Sequence, residues 1–159
     1  MAPAIPSAGC PVPGELRWDE AASPEVVVDG RCWLLSGHLQ LSAMRRDARG
    51  VLASSSDPID QWTDADDEAV DRAVLALDEL ASNALRHGRQ PVSAELFDRG
   101  DTWLLVVTDG DTGELPVPAV GRPGGLGGFG LYVVADFAIA HGIDVRPDHK
   151  RVWAELPKR

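Results

Sequence analysis

The chain has 159 residues, 44% of them hydrophobic, which is enough for one sizeable core and too short for two independent domains. Its formal net charge of −10 offers no broad basic face for the phosphates of a duplex, which argues against direct binding of nucleic acid. The longest apolar stretches are far shorter than the roughly 20 residues that a membrane-spanning helix needs, and the start lacks the features of a signal peptide. We therefore expect one cytoplasmic domain that contacts no membrane.

The amino-terminal part predicts a tail, a hairpin and a first helix. Residues 1–15 combine several prolines with small residues and are expected to form a loose tail, so that residues 16–159 form the domain. Apolar residues at 26–28 and 32–35 flank Asp29-Gly30, the composition of a hairpin around an Asp-Gly turn. Helical spacing of the apolar residues at 42–52 predicts a first amphipathic helix.

A second helix, beginning at Thr63 and ending at Gly88, is the clearest element of the sequence. Its apolar residues recur at helical spacing and predict a buried stripe. At about 100° per residue, Glu79, Asn83 and His87 share one polar edge opposite that stripe. Such an edge is usually only solvated, so these residues alone do not establish a site.

The second half of the chain predicts strands, a loop and a third helix. The elements are a hairpin of residues 92–96 and 103–108, a Gly/Pro-rich loop over 110–128, a helix over 130–141, and two strands over 143–146 and 151–156. Short turns pair the strands, and the helices lie between the hairpins. This order predicts an α+β two-layer sandwich, a mostly antiparallel sheet with helices on one face.

The glycine-rich loop and its flanks hold further candidate ligand groups. The loop is either a disordered connection or a lid whose bare backbone approaches a ligand closely. It leads into a helix, and the free amides at that helix start favour an anion such as phosphate near residues 128–131. Asp109 stands where a strand ends, and it is either an ordinary turn residue or an acceptor for an exocyclic amine such as that of adenine.

Taken together and in this order, three segments resemble the motifs of the GHKL (Bergerat-fold) ATPases. ELASNALRH at 79–87 resembles the N box, VVTDGDTG at 106–113 the first glycine box, and GGFGLYVV at 127–134 the second. The closing KRVWAELP resembles the last strand of the small anti-sigma-factor serine/threonine kinases. The similarity covers residues 35–157, and it is the order of the motifs that makes it specific.

The resemblance implies a role for each matching residue. It assigns the general base to Glu79, a Mg²⁺ ligand to Asn83, the adenine contact to Asp109, and a place in the pocket wall to His87. It further implies that the nucleotide is bound through the glycine boxes, at Gly113, Gly125, Gly127, Gly128, Gly130 and Leu131. Two positions depart from the pattern: Asp111 replaces a glycine of the first box, and Arg151 stands where the last strand usually carries a threonine.

The function implied by the resemblance is that of an ATP- and Mg²⁺-dependent serine/threonine kinase. Such a kinase would hold a sigma factor and phosphorylate an antagonist protein that competes for it. One alternative is a partner-binding module of the same fold that lacks catalysis, which Asp111 and Arg151 favour. An ATP hydrolase of the chaperone or gyrase kind fits less well, because no coupling domain accompanies the motifs. The sequence leaves the oligomeric state open, a homodimer included.

Overall fold

The structure, a computed structural model, describes residues 18–26, 29–55, 61–113 and 129–159. The elements are β1 (Arg31–Leu35), α1 (His38–Ser54), α2 (Asp64–His87), β2 (Val92–Asp98), β3 (Thr102–Asp109), α3 (Phe129–Phe137), β4 (Ala140–Val145) and β5 (Lys150–Pro157). Within these ranges the strands form one antiparallel sheet in the order β1-β2-β3-β5-β4. The predicted α+β class with an antiparallel sheet is confirmed.

The alternation of side chains along the strands determines which face of the sheet meets the helices. On β3, Trp103, Leu105 and Val107 join the main core together with residues of all three helices. The residues between them, Leu104 and Val106, point to the opposite face, because successive side chains of a strand alternate. The helices thus cover one face of the sheet, which we call the inner face.

The central helix α2 begins and ends as its sequence predicts. The carboxylate of Asp66 accepts hydrogen bonds from the backbone N–H of Thr63 at 2.8 Å and from its hydroxyl at 2.7 Å. These hydrogen bonds lower the pKa of Asp66 below its usual value. At the other end the N–H of Gly88 donates to the carbonyl of Ala84 at 2.8 Å. Both helix ends are therefore fixed by local contacts.

The predicted hairpin around Asp29-Gly30 is wrong. β1 pairs with β2, and Glu25 and Val26 belong to no strand, while residues 27 and 28 lie outside the described ranges. A Cβ atom on Gly30 would overlap the ring of Phe97. The glycine therefore serves a close approach to a neighbouring strand rather than a two-residue turn.

Two helix boundaries also differ from the prediction. The first helix is longer than residues 42–52, because its first three residues, 38–40, are exposed and do not extend the buried apolar stripe. The third helix ends at Phe137 instead of residue 141, and His141 lies in β4 opposite Ala154. An apolar run such as residues 131–139 has no periodicity that separates a helix from a strand. The predicted tail over residues 1–15 and most of the glycine-rich loop lie outside the described residues.

Residues 18–26, which we call the amino-terminal strap, run along the β4 edge of the sheet. Ala21 N–H donates to the carbonyl of Ile143 at 2.9 Å, and Ile143 N–H donates to the carbonyl of Asp19 at 3.1 Å. Trp18 is buried in the main core, and its indole N–H donates to the carbonyl of Leu131 at 3.2 Å. The strap therefore joins β4 to the first turns of α3.

The strap also reaches the outer face of the sheet. A small apolar cluster there consists of Phe97, Leu104, Val106 and Trp153, with Ala21, Val26 and Ala140 packed against it. The indole N–H of Trp153 donates to the carbonyl of Ala21 at 2.9 Å.

No helix in the described part of the chain is long and apolar enough to cross a membrane.

Candidate functional site

The polar edge of α2 exists as the helical spacing predicts. Glu79 and Asn83 lie one turn apart and are half-buried, whereas His87 is exposed in the last turn. Half-burial on this edge means that other parts of the chain approach Glu79 and Asn83. His87, by contrast, is open to solvent at the rim of the candidate site.

The first turn of α3 lies directly against Glu79. A Cβ atom on Gly130 would overlap Glu79 Oε2 and would lie 2.7 Å from Glu79 Cδ, so a side chain at residue 130 would have to displace this carboxylate. Leu131 is 2% exposed and packs in the core, so its backbone N–H rather than its side chain is available to a ligand. Gly125, Gly127 and Gly128 lie outside the described residues.

Asp109 is held rigidly at the end of β3. The side chain is 2% exposed, and its Oδ1 accepts from the N–H of Asp111 at 2.7 Å and, more weakly, from that of Arg89 at 3.4 Å. A Cβ atom on Gly88 would lie 2.6 Å from the Asp109 carboxyl carbon. The carboxylate is thus fixed against the carboxyl end of α2, and Gly88 both ends the helix and makes room for it.

The two carboxylates mark the ends of one elongated region along α2. Glu79 contacts Gly130 and Asp109 contacts Gly88, and residues 79 and 88 are separated by about 13 Å of helix rise. One end offers a helix start without side-chain bulk, and the other a buried hydrogen-bond acceptor. The two ends thus offer an acceptor suited to a base at Asp109 and a helix start suited to phosphates at Gly130.

The side chain of Asp111 does not occupy the space beside Asp109, at the end of the candidate site that suits a base. Its Oδ1 accepts from the N–H of Gly113 at 2.9 Å, and its own N–H donates to Asp109. The side chain therefore turns along the loop towards the exposed Gly113. Asp111 thus contributes to the turn that holds Asp109, a role in which aspartate is common.

Lys150 is a further residue of the site that the sequence motifs do not indicate. This residue lies directly opposite Asp109 in the β3–β5 ladder, whereas Arg151 lies opposite Thr108. Arg151 therefore points to the outer face, where its Nη2 is 3.8 Å from Glu95 Oε2, and it is not the neighbour of Asp109. Alternation in β5 could have shown this, because Val152 and Ala154 face the core and residue 150 shares their side.

Behind the site, Asp78 connects α2 to α1. Burial raises the pKa of its carboxyl group, which the positive charges of Arg45 and Arg86 oppose. Arg45 Nε lies 3.3 Å from Asp78 Oδ1. Arg45 thus has an ionic partner within the chain. This contact holds α2 against α1 at the residue that precedes Glu79.

These observations define the class of the protein, a GHKL-type ATPase domain. The sheet is antiparallel with helices on one face, the central helix carries Glu79 and Asn83, and the central strand ends at the buried Asp109. The family model for the histidine kinase-like ATPase domain matches residues 40–156, most of the chain, and the chain belongs to that family. No curated protein matches the sequence significantly. Membership implies an ATP-binding domain, and the residues described above fit ATP.

Proposed function

We propose that this protein is an ATP-dependent serine/threonine kinase that regulates transcription as an anti-sigma factor. The observation that carries the proposal is the contact between Glu79 and Gly130, which puts a carboxylate at the start of α3 with Asn83 one turn away. A base, an amide oxygen and a helix start in one place suit the transfer of a phosphoryl group.

Each side chain has a defined task in this reaction. Glu79 accepts the proton of the serine or threonine hydroxyl as its oxygen bonds to the terminal phosphorus of ATP, while the bond from that phosphorus to ADP breaks and ADP leaves. The amide oxygen of Asn83 would hold Mg²⁺ together with the phosphates, since this ion prefers oxygen ligands. Mg²⁺ would supply charge neutralisation at the phosphates. Asp109 accepts from the amine of adenine and so sets the position of the whole nucleotide.

The proposed partners are a sigma factor and an antagonist protein that competes with it. The kinase would hold the sigma factor and release it when the antagonist binds, and phosphorylation of the antagonist would reverse the release. The support is the likeness of the closing strand to small anti-sigma-factor kinases, together with a site that has both a base and a metal ligand. We propose that this exchange takes place in the cytoplasm.

The experiment distinguishes the role of Glu79 from that of Asn83. Glu79→Gln keeps the shape of the side chain and removes the base, so we expect phosphate transfer to fall about 10²- to 10⁴-fold while ATP affinity changes little. Asn83→Ala should weaken Mg²⁺-dependent ATP binding and transfer together. Calorimetry with ATP and Mg²⁺ measures binding, and radiolabelled transfer to candidate antagonist proteins measures the reaction.

Glu68→Gln is the matched control. Glu68 lies on the same helix near its start, is exposed, and pairs along the helix surface with Arg72 at 3.0 Å. It should leave both binding and transfer unchanged. Equal transfer by the wild type and by Glu79→Gln would remove Glu79 from the mechanism. Absence of ATP binding by the folded wild type would refute the proposal as a whole.

A partner-binding module without catalysis is the second candidate. It is favoured by the surroundings of Asp109, which already has two backbone donors and a lysine ammonium nearby. A carboxylate committed to these partners would bind adenine weakly. A wild-type protein that holds a sigma factor but transfers no phosphate to any candidate would favour this account.

A further inference from the structure

A buried pair of opposite charges lies at the base end of the candidate site. Asp109 is 2% exposed and Lys150 is 4% exposed, and the two residues face each other across neighbouring strands. Lys150 Nζ lies 3.6 Å from Asp109 Oδ2. Both side chains are on the inner face, on the same side of their strands as the core residues Val107 and Val152.

Stability alone is a poor reason for such a pair. Removing two charges from water costs several kcal/mol for each ion, and apolar residues of similar volume are often as stable or more so. The neighbouring inner-face positions of β3 and β5 are apolar, so this end of the sheet could have continued the core. A buried pair of charges at the end of the candidate site is therefore better explained by a role in binding than by stability.

The two charged groups lie close together without a short hydrogen bond between them. The distance of 3.6 Å exceeds the roughly 2.7 to 2.9 Å of a charge-assisted hydrogen bond, so the ammonium and Oδ2 attract each other without being tightly joined. The other oxygen, Oδ1, accepts the backbone N–H groups of Asp111 and Arg89, which fix the plane of the carboxylate. The pair thus presents an oriented acceptor with a donor beside it.

We infer that Lys150 contacts the nucleobase together with Asp109. The carboxylate accepts from the exocyclic amine of adenine, and the ammonium of Lys150 donates to the ring nitrogen beside that amine. Adenine offers a donor next to an acceptor at this position, which matches an acceptor next to a donor in the protein. The inference rests on the proposed function, because it assigns a second base contact within the same site.

The charge of Lys150 has an additional consequence. The chain carries a formal net charge of −10, and a nucleotide is also anionic. A buried ammonium beside Asp109 cancels the charge of that carboxylate at close range, where screening by salt is weak. The base end of the site therefore adds no local repulsion to the approach of the nucleotide.

Binding of ATP and its deaza analogues in the presence of Mg²⁺ tests the inference by calorimetry. In 1-deaza-ATP and 7-deaza-ATP a carbon replaces one of the two ring nitrogens beside the amine, so one of these analogues should bind the wild type about tenfold more weakly, or worse, than ATP does. In Lys150→Met, which keeps the length of the side chain, ATP should lose a similar factor. The same analogue should then bind this variant as well as ATP does.

Lys158→Met is the matched control. Lys158 follows the other end of β5, where its Nζ contacts Asp98 Oδ1 and the carbonyl of Ser55, far from the base end. This variant should bind ATP as the wild type does. Circular dichroism reports whether each variant is folded, and if Lys150→Met does not fold, the analogue series on the wild type decides alone.

The outcomes separate this inference from the proposed function. If the folded wild type does not bind ATP, both fail. If the wild type binds ATP and both deaza analogues equally, the Lys150 contact is wrong and the proposed function stands. An unchanged or tighter affinity of Lys150→Met for ATP would also overturn the contact, and tighter binding would show that the lysine competes with adenine for Asp109.

Discussion

The carboxylate of Glu79 lies against the backbone of Gly130, so that the proposed base and the first turn of α3 occupy adjoining space. Neither residue can change size without moving the other. A polar edge on α2 would otherwise be an ordinary solvated surface. The contact with α3 is what turns this edge into one wall of a site.

Gly130→Ala should displace the Glu79 carboxylate, because the new methyl group overlaps its Oε2. We expect phosphate transfer to fall by an order of magnitude or more, since small misplacements of a reacting group have effects of about that size. Rates of transfer from radiolabelled ATP to an accepted substrate protein measure this. Unchanged transfer in a folded Gly130→Ala protein would contradict the proposed role of the contact.

Gly50→Ala should stabilise the protein, and it is the control for Gly130→Ala. Gly50 lies within α1, and a Cβ atom there would meet nothing within 4 Å. Alanine is favoured over glycine in a helix interior by about 1 kcal/mol, so the free energy of unfolding should increase by about that amount. Urea denaturation measures the increase, and a loss of stability would show that this turn of α1 is packed.

Trp18 should contribute to stability through both its ring and its indole N–H. Trp18→Phe removes the hydrogen bond to the carbonyl of Leu131 and should cost about 1 kcal/mol. Trp18→Ala also empties a buried position and should cost about 3 to 5 kcal/mol. Urea denaturation of the two variants measures both losses of stability. Equal stabilities of the wild type and Trp18→Ala would mean that the strap does not hold α3.

Stability should also fall as the pH drops through the histidine range. Burial lowers the pKa of His141 below its ordinary value of 6.5, and the charge of Asp19 opposes this only in part. The unfolded chain therefore binds a proton at a pH where the folded chain does not, and the free energy of unfolding decreases below about pH 6.5. Urea denaturation between pH 7 and pH 5 measures the decrease.

His141→Phe is the control for this pH effect. It keeps an aromatic ring beside Trp18, whose ring centroid lies 4.5 Å from that of His141. The part of the pH dependence that His141 causes should disappear in this variant. The carboxyl groups of Asp66 and Asp144, whose pKa values hydrogen bonds lower, lose their contribution only below about pH 4. If the free energy of unfolding of His141→Phe changes between pH 7 and pH 5 as much as that of the wild type, the effect belongs to other groups.

The sequence predicted the elements whose local signals agree with their packing. Helix α2 has a cap at Thr63, an apolar stripe and a closing glycine, and it begins and ends where these place it. The edge with Glu79, Asn83 and His87 followed from helical geometry alone. The position of Asp109 followed from the end of an apolar strand, and its burial agrees with a role inside the fold.

What the sequence could not predict depends on contacts between distant residues. The partner of β1 is β2, which lies beyond two helices in the chain, and no local pattern near Asp29 reveals that pairing. The place of Lys150 beside Asp109 depends on the register of β3 and β5. A shift of one residue exchanges inner and outer faces, so Lys150 and not Arg151 is the neighbour of Asp109 on β5.

The strap and β1 both precede residue 40, where the family match begins. A shortened chain that starts there would leave the β2 edge unpaired and would remove the cover over Phe97 and Trp153. An open strand edge beside bare aromatic rings is a template for association with other molecules. We expect such a fragment to aggregate on expression, although it would contain every residue of the candidate nucleotide site.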